Sequence, residues 1–500
     1  MAYLFIRQLK NVILIVVFNT VLIVLSYSKG YNIGLEINGF ADTTAILGHY
    51  LNKSMYPDDT TFFNSKGKGV FKGNQLLPQG MYLIFLPDGS YFELIIGEDQ
   101  EFEIKTDTSN LITNLHAEGS LENEIFFDFQ KYMYEKRKVL EESQKTLKNS
   151  DNEADSKNAS QKIKELNEER KQKINNIIKN HPELFVSTFL KATLYVEVPE
   201  PPADLEGPVD TTQWKYYYLR KHFFDNLDPG DVRLLRTPLY EDKLMYYIDN
   251  MVPQIPDTLI KEVDFLIGKS RSDSALFRYM LITLFNHYGK KKIMGMDAVQ
   301  VHIAKQYYLD EAWWSSDEFI SDLRDKIEKI EPLLIGEVAP DYELMFVQSE
   351  HFKEAQNDEA LKKYPHAGKL MKMSDIQADY TVLLFWESGC SHCKKEVPKL
   401  YKIYNDTLKS MNVKIIAIST LFGEEGKIKW VDFVNKNQLY NWDNAWNPYS
   451  AEYKIGYDIM STPQIFVLDK NRKIIGKKLG ADNVVGLINA HKEQFGDKQN

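Results

Sequence analysis

Between about Tyr31 and Ser120 apolar and polar residues alternate, as in Met81-Tyr82-Leu83-Ile84-Phe85, Tyr91-Phe92-Glu93-Leu94-Ile95 and Glu101-Phe102-Glu103-Ile104. A period of two sends successive side chains to opposite faces of a strand. Pro87-Asp88-Gly89 and Gly97-Glu98-Asp99 supply the turns between runs. Residues 30–122 are thus expected to form a small antiparallel β domain, a sandwich. From Asn123 the period becomes helical, with Ile163, Leu166, Ile174 and Ile177 on one face and a polar break at Asn149-Ser150-Asp151-Asn152-Glu153. A helical hairpin over 123–198 follows, its Lys/Glu run read as a solvated face. Pro199, Pro201, Pro202 and Pro208 predict a loop, after which a second helical domain runs from 199 to 334. Its aromatics, among them Trp214, Tyr217, Tyr246, Tyr247, Tyr308 and Trp313, are expected to fill a core.

From Ile335 strands and helices alternate. Tyr380 to Trp386, Val413 to Ile418 and Gln464 to Leu468 read as strands, and Gly423 to Asn437 as a helix. Asp469-Lys470-Asn471-Arg472 turns the chain into Lys473-Ile474-Ile475, and Ala481 to Gln494 is a closing helix. The whole is a multidomain chain whose last part, 335–500, is an α/β sandwich.

The only two cysteines of the 500 residues, Cys390 and Cys393, stand in one C-x-x-C directly after the first of those strands. A helix beginning at the first cysteine would put its sulfur beside unpaired N–H groups at the positive end of the helix dipole, which favours the thiolate. The second cysteine then lies one turn on, within reach of a mixed disulfide formed at the first. Zinc would need four ligands, and no third cysteine exists. A disulfide between residues three apart closes too small a loop to stabilise a large chain much. The pair reads as a redox-active dithiol, with neither metal nor cofactor expected.

The N-terminus changes where this chemistry belongs. Arg7 and Lys10 precede an apolar run from Val12 to Leu25, followed by Ser26 and Ser28, as in a secretory signal peptide at 1–28 or an uncleaved membrane anchor. No cysteine follows that could carry a lipid. Export would place the pair in an oxidising compartment, where the absence of a third thiol prevents mispairing. Composition is that of a globular protein, 43% hydrophobic and 26% charged. The net charge of −10, or −12 without residues 1–28, excludes nucleic acid and anionic membrane surfaces as ready partners.

The strand, the C-x-x-C, Pro398 within the next helix, and Thr462-Pro463 before a later strand together resemble the thioredoxin fold. Ile335-Gly336-Glu337-Val338-Ala339-Pro340-Asp341-Tyr342 is similar to the opening shared by peroxiredoxins and the TlpA/ResA-like family. Met373-Ser374-Asp375-Ile376 and Tyr453-Lys454-Ile455 also fit the latter. The resemblance implies that Cys390 attacks and Cys393 resolves, that Pro463 is a cis-proline lying against the dithiol, and that the Thr462 backbone pairs with a substrate strand. It matches Pro398 to the proline kinking the active-site helix and Trp386 to the aromatic before the motif. Leu384 stands where many thioredoxins have a buried aspartate, which leaves Glu387 as the nearest acid. His392 replaces the usual proline and would stabilise the Cys390 thiolate, making the pair more oxidising. Residues 30–334 resemble uncharacterised β and helical modules ahead of thioredoxin-like domains in exported proteins of Gram-negative bacteria, on Gly119-Ser120-Leu121-Glu122-Asn123. Together these imply an envelope or periplasmic thiol-disulfide oxidoreductase acting on cysteine-containing envelope proteins, served by an upstream membrane or periplasmic electron donor or acceptor. Three alternatives stay open: a peroxiredoxin-like peroxide reductase, although Glu387 stands where its threonine would be; a copper-handling protein using both thiolates and a histidine; and a binding protein whose front modules carry the function.

Overall fold

The computed structural model describes residues 30–202, 210–363 and 368–495; the export segment expected at 1–28 lies outside them. The chain forms two compact units, one comprising the chain up to Pro253 together with Phe265–Phe277, the other Gln254–Asp264 and the chain from Arg278 on.

Eight strands open the first unit: β1 Tyr31–Asn38, β2 Thr43–Leu51, β3 Ser54–Phe63, β4 Lys68–Gly73, β5 Gly80–Phe85, β6 Tyr91–Ile96, β7 Glu101–Asp107 and β8 His116–Glu118. They make two four-stranded sheets, ordered β4-β1-β7-β8 and β3-β2-β5-β6. The alternation works as expected, burying Ile33, Leu35 and Ile37 on one side of β1. One expectation is corrected: β1 runs parallel to β7, with Ile33 beside Phe102 and Leu35 beside Ile104, so the first sheet is mixed rather than antiparallel. Period and turn residues report only hairpin neighbours, and these two strands are distant in sequence.

Helices Leu121–Asn149 and Glu153–Asn180 form the expected hairpin. Leu166 and Ile174 are buried while Ile163 and Ile177 are only half-buried. The segment Gly119 to Asn123 is a junction. Ser120 caps the first helix by accepting from Asn123 N at 3.3 Å. The Asn123 side chain pairs with both the N–H and the carbonyl of Ile95 on β6, each at 2.8 Å. Glu122 accepts from Phe185 N and Val186 N at 3.1 and 2.8 Å, capping helix Phe185–Ala192. The next helical block corrects the aromatic-core expectation in part: Tyr247 and Tyr308 are buried, but Tyr217, Tyr246 and Trp313 are exposed, and helix Thr211–His222 buries no residue. Neighbouring aromatics on a helix point to different sides, so they cannot all enter one core.

In the second unit seven strands, β9 Glu343–Val347, β10 Lys369–Lys372, β11 Tyr380–Trp386, β12 Val413–Ser419, β13 Asp443–Trp446, β14 Gln464–Asp469 and β15 Ile474–Lys477, form one sheet ordered β10-β9-β13-β12-β11-β14-β15. β9, β10 and β13 are additions to the sequence reading; they are short, and only the sheet supplies their partners. Every residue of β11 is buried. Val382, Leu384 and Trp386 enter one core with Val397, Leu400 and Val431, whereas Leu383 and Phe385 enter another with Ile416, Tyr457 and Phe466. Burying an aliphatic side chain of this size contributes about 1.5–3 kcal/mol. The opening motif is tied in by hydrogen bonds: Asp341 accepts from Ser374 N at 3.0 Å and Ser374 Oγ at 2.6 Å, and Tyr457 Oη donates to the Pro340 carbonyl at 2.5 Å. Packing also groups residues 278–334 with this unit, where the sequence reading divides the chain at 334. Leu333 lies in its core, and Lys477 Nζ pairs with Asp297 and donates to the Leu333 carbonyl, each at 2.5 Å.

Candidate active site

β11 and β12 are parallel, so their carboxyl ends share one edge of the sheet, where sites in such sheets usually form. β11 ends at Trp386, and the chain turns through Glu387 to His392 before helix Cys393–Asp406 begins. This corrects the expected helix start: the helix begins at Cys393, three residues after the first cysteine. The Lys394 N–H nevertheless reaches the Cys390 carbonyl at 3.1 Å, so Cys390 stands at the mouth of the first turn. Pro398 lies inside this helix.

The two cysteines are free thiols in unlike surroundings, Cys390 partly exposed and Cys393 buried. Burial pushes the Cys390 thiol up, but hydrogen bonds from the backbone of Cys393, the side chains of Cys393 and Thr462 and the His392 backbone outweigh it, and the net shift is downward. Burial pushes Cys393 up to about 12, against a backbone hydrogen bond from Glu387. While protonated, Cys390 donates its S–H to the Thr462 carbonyl at 3.1 Å. The Thr462–Pro463 peptide is cis, and both residues are half-buried.

The other expected residues divide by how they touch the sulfurs. His392 and Glu387 act through main-chain groups; the His392 imidazole is exposed and makes no capping hydrogen bond. Trp386 is fully buried beside Phe433, with ring centroids 5.0 Å apart, in the same core as Cys393. Leu384, too, is buried and apolar. Among the described residues no group of three or more His, Cys, Asp or Glu is placed to hold a metal ion.

Sequence reasoning missed one group. Lys427, on helix Gly423–Asn437, is 0% exposed. Its ammonium lies 4.6 and 4.7 Å from the ring centroids of Trp430 and Trp446, and no hydrogen-bond partner reaches it among the described residues. Burial lowers its pKa to about 7. The signal was present, because Lys427 shares the helical period of the buried Trp430, Val431 and Val434.

Three segments of the chain match known family models. Residues 377–474 match a family model described as thioredoxin-like. Residues 31–126 and 153–331 each match a domain family of unknown function. The sporulation thiol-disulfide oxidoreductase A of Bacillus subtilis is 30% identical over 103 residues, covering 20% of this chain and 59% of that protein. The thiol-disulfide oxidoreductase ResA of Bacillus cereus is 27% identical over 119 residues, 23% of this chain and 62% of its own length. The chain thus spans about three fifths of these curated relatives. Among solved structures, a domain of a possible thiol-disulfide isomerase from Cytophaga hutchinsonii is 28% identical, covering 33% of this chain and 98% of that one, with a TM-score of 0.27. A thioredoxin-like protein from Bacteroides caccae is 17% identical over 59% of this chain and 98% of that one, at a TM-score of 0.41. Over residues 377–474, which hold the two cysteines after β11, the chain is thus thioredoxin-like and similar to thiol-disulfide oxidoreductases of Bacillus.

Proposed function

We propose that this protein is an exported thiol-disulfide oxidoreductase that exchanges disulfides with cysteine-containing envelope proteins through Cys390 and Cys393. One observation carries the reading: two thiols in contact, one partly exposed with its pKa lowered, the other buried with its pKa raised. In the reducing direction the Cys390 thiolate attacks a substrate disulfide, and a mixed disulfide forms as one substrate thiolate leaves. Cys393 then loses its proton and attacks the Cys390 sulfur. The second substrate thiolate departs, and the Cys390–Cys393 disulfide remains. Two electrons pass to the substrate, and an upstream donor restores the dithiol. The oxidising direction runs the same steps in reverse with an upstream acceptor.

Thr462 and Pro463 present the surface on which a substrate strand would lie, with Met460, 86% exposed, beside them. Trp386 supports the cysteine turn from below; Glu387 and His392 supply main-chain hydrogen bonds to the sulfurs. Export rests on the Arg7 to Ser28 pattern. Residues 30–122, 123–198 and 199–334 form the β and helical parts ahead of the catalytic domain at 335–500, and they govern location or partner choice. The test is the mixed disulfide itself. Full-length Cys393→Ser, expressed in the native envelope and resolved on non-reducing gels, should hold partner proteins that thiol reagents release. Loss of reductase activity without trapped partners in Cys393→Ser, or full activity in Cys390→Ser, would refute the assignment.

A further inference from the structure

In the first unit, helices Leu121–Asn149, Glu153–Asn180 and Phe185–Ala192 leave a cavity of about 440 Å³ between them and β6. Its walls are largely apolar, from Phe126, Phe129, Met133, Leu166, Phe189 and Leu190, and two of the cations that also line it, Lys136 and Arg137, are paired with Glu169 and Glu141. That volume suits a small ligand, and such sites combine apolar walls with a few fixed polar groups.

The polar groups here are uneven in charge. Glu93 is the one carboxyl in the lining, and both its oxygens are engaged, by Tyr50 Oη at 2.8 Å and Gln130 Nε2 at 3.3 Å. Arg170 is half-buried in the wall, and its hydrogen-bond partner is a neutral hydroxyl, Thr193 Oγ1 at 2.7 Å. Outside the lining, a second half-buried cation, Lys243, donates to the Leu194 carbonyl at 3.3 Å and lies over the Tyr195 ring. Burial and the nearby Arg170 charge both push Lys243 down. Among the described residues neither cation has a carboxylate partner. Two neighbouring cations held partly out of water without an anion are costly. A bound anion would remove that cost.

We infer that this cavity binds an anionic amphiphile, its single apolar chain among Phe126, Phe129, Leu166 and Phe189 and its head group against Arg170, with Lys243 nearby. The shared chemistry is a chain ending in a negative head, either the carboxylate of a free fatty acid or the phosphate of a lipid fragment. The lining residues come from two segments that match domain families of unknown function and from the helix joining them, and the site is independent of the dithiol.

Isothermal titration of the full-length protein tests it with four twelve-carbon probes below their micellar concentrations: dodecanoate, dodecyl phosphate, dodecanol and dodecyltrimethylammonium. The two anions should bind with one site per chain, the tighter naming the head group, and dodecanol and the cation at least tenfold more weakly. Arg170→Met keeps the apolar stem and loses the charge, so it should weaken the anions tenfold or more and leave dodecanol unchanged. Met133→Trp should block all binding by filling the cavity, with folding checked by circular dichroism. Dodecanol binding as tightly as dodecanoate, or undiminished anion binding in Arg170→Met, would overturn the inference. The comparison of probes on the unaltered protein decides even where a variant fails to fold.

Discussion

The Cys390 thiol donates to the Thr462 carbonyl at 3.1 Å across 72 residues of sequence, so the reactive sulfur and the segment expected to receive substrate are held by one hydrogen bond. A thiolate cannot donate, so ionising Cys390 ends this bond and frees the Thr462 carbonyl. In the proposed reaction, attack by Cys390 and pairing of a peptide with Thr462 would be compatible, because the same proton loss prepares both.

That asymmetry orders alkylation of the reduced protein. Iodoacetamide should modify Cys390 alone, with a rate that rises through a pKa lowered from that of a free thiol. Cys393, raised to about 12 and buried, should stay unmodified through pH 9. Mass spectrometry of the labelled peptides checks this; equal labelling of both thiols would contradict it.

His392 offers a sharper test because its contact with the sulfur is a main-chain N–H and its imidazole is exposed. His392→Ala keeps that donor, whereas His392→Pro removes it. The Cys390 titration, followed by thiolate absorbance, should rise more in His392→Pro than in His392→Ala. The wild-type reduction potential should lie above the roughly −270 mV of thioredoxin, since a stabilised thiolate favours the reduced form. Equal shifts in the two variants would assign the effect to the imidazole.

Lys427 predicts a pH dependence of stability. Its pKa is about 7 in the fold and about 10.4 in the unfolded chain. Below pH 7 both states carry the proton and the full cost of burying the charge is felt; between 7 and 10.4 the unfolded chain binds more protons, so this group makes stability rise with pH. Lys427→Met should be more stable than wild type at pH 7, by about 1–4 kcal/mol, with a flatter stability curve above that pH. Denaturant unfolding at pH 7 and 9.5 reads both, and a variant less stable than wild type at pH 7 would contradict the argument.

Lys477 predicts the opposite sign. It is 6% exposed and pairs with Asp297 at 2.5 Å. Asp297→Asn leaves a buried ammonium without its anion and should destabilise the second unit by about 3 kcal/mol. Thermal unfolding measures it. An unchanged midpoint would mean that the Leu333 carbonyl alone satisfies Lys477.

Much of the active-site region is legible along the chain because its signals are local. The period of β11, the spacing of Cys390 and Cys393, and the helix from Gly423 to Asn437 each depend on residues within one element. The helix starts at Cys393 because the chain leaving β11 first makes a turn, with the Cys390 N–H on the Glu387 carbonyl at 3.4 Å, before the helical bonds begin.

By itself the sequence placed most of the strands and helices and singled out the two side chains proposed to exchange disulfides. Periodicity and spacing express the geometry of neighbours in the chain, and a lone C-x-x-C admits few other chemistries. Only the tertiary structure decided that Cys390 is partly exposed and Cys393 sealed, that β1 lies parallel to β7, that Lys427 sits between two tryptophans, and that Asp297 reaches Lys477. Each of these depends on which distant segments pack together. Burial, not residue type, then fixes which thiol ionises and which charges are costly.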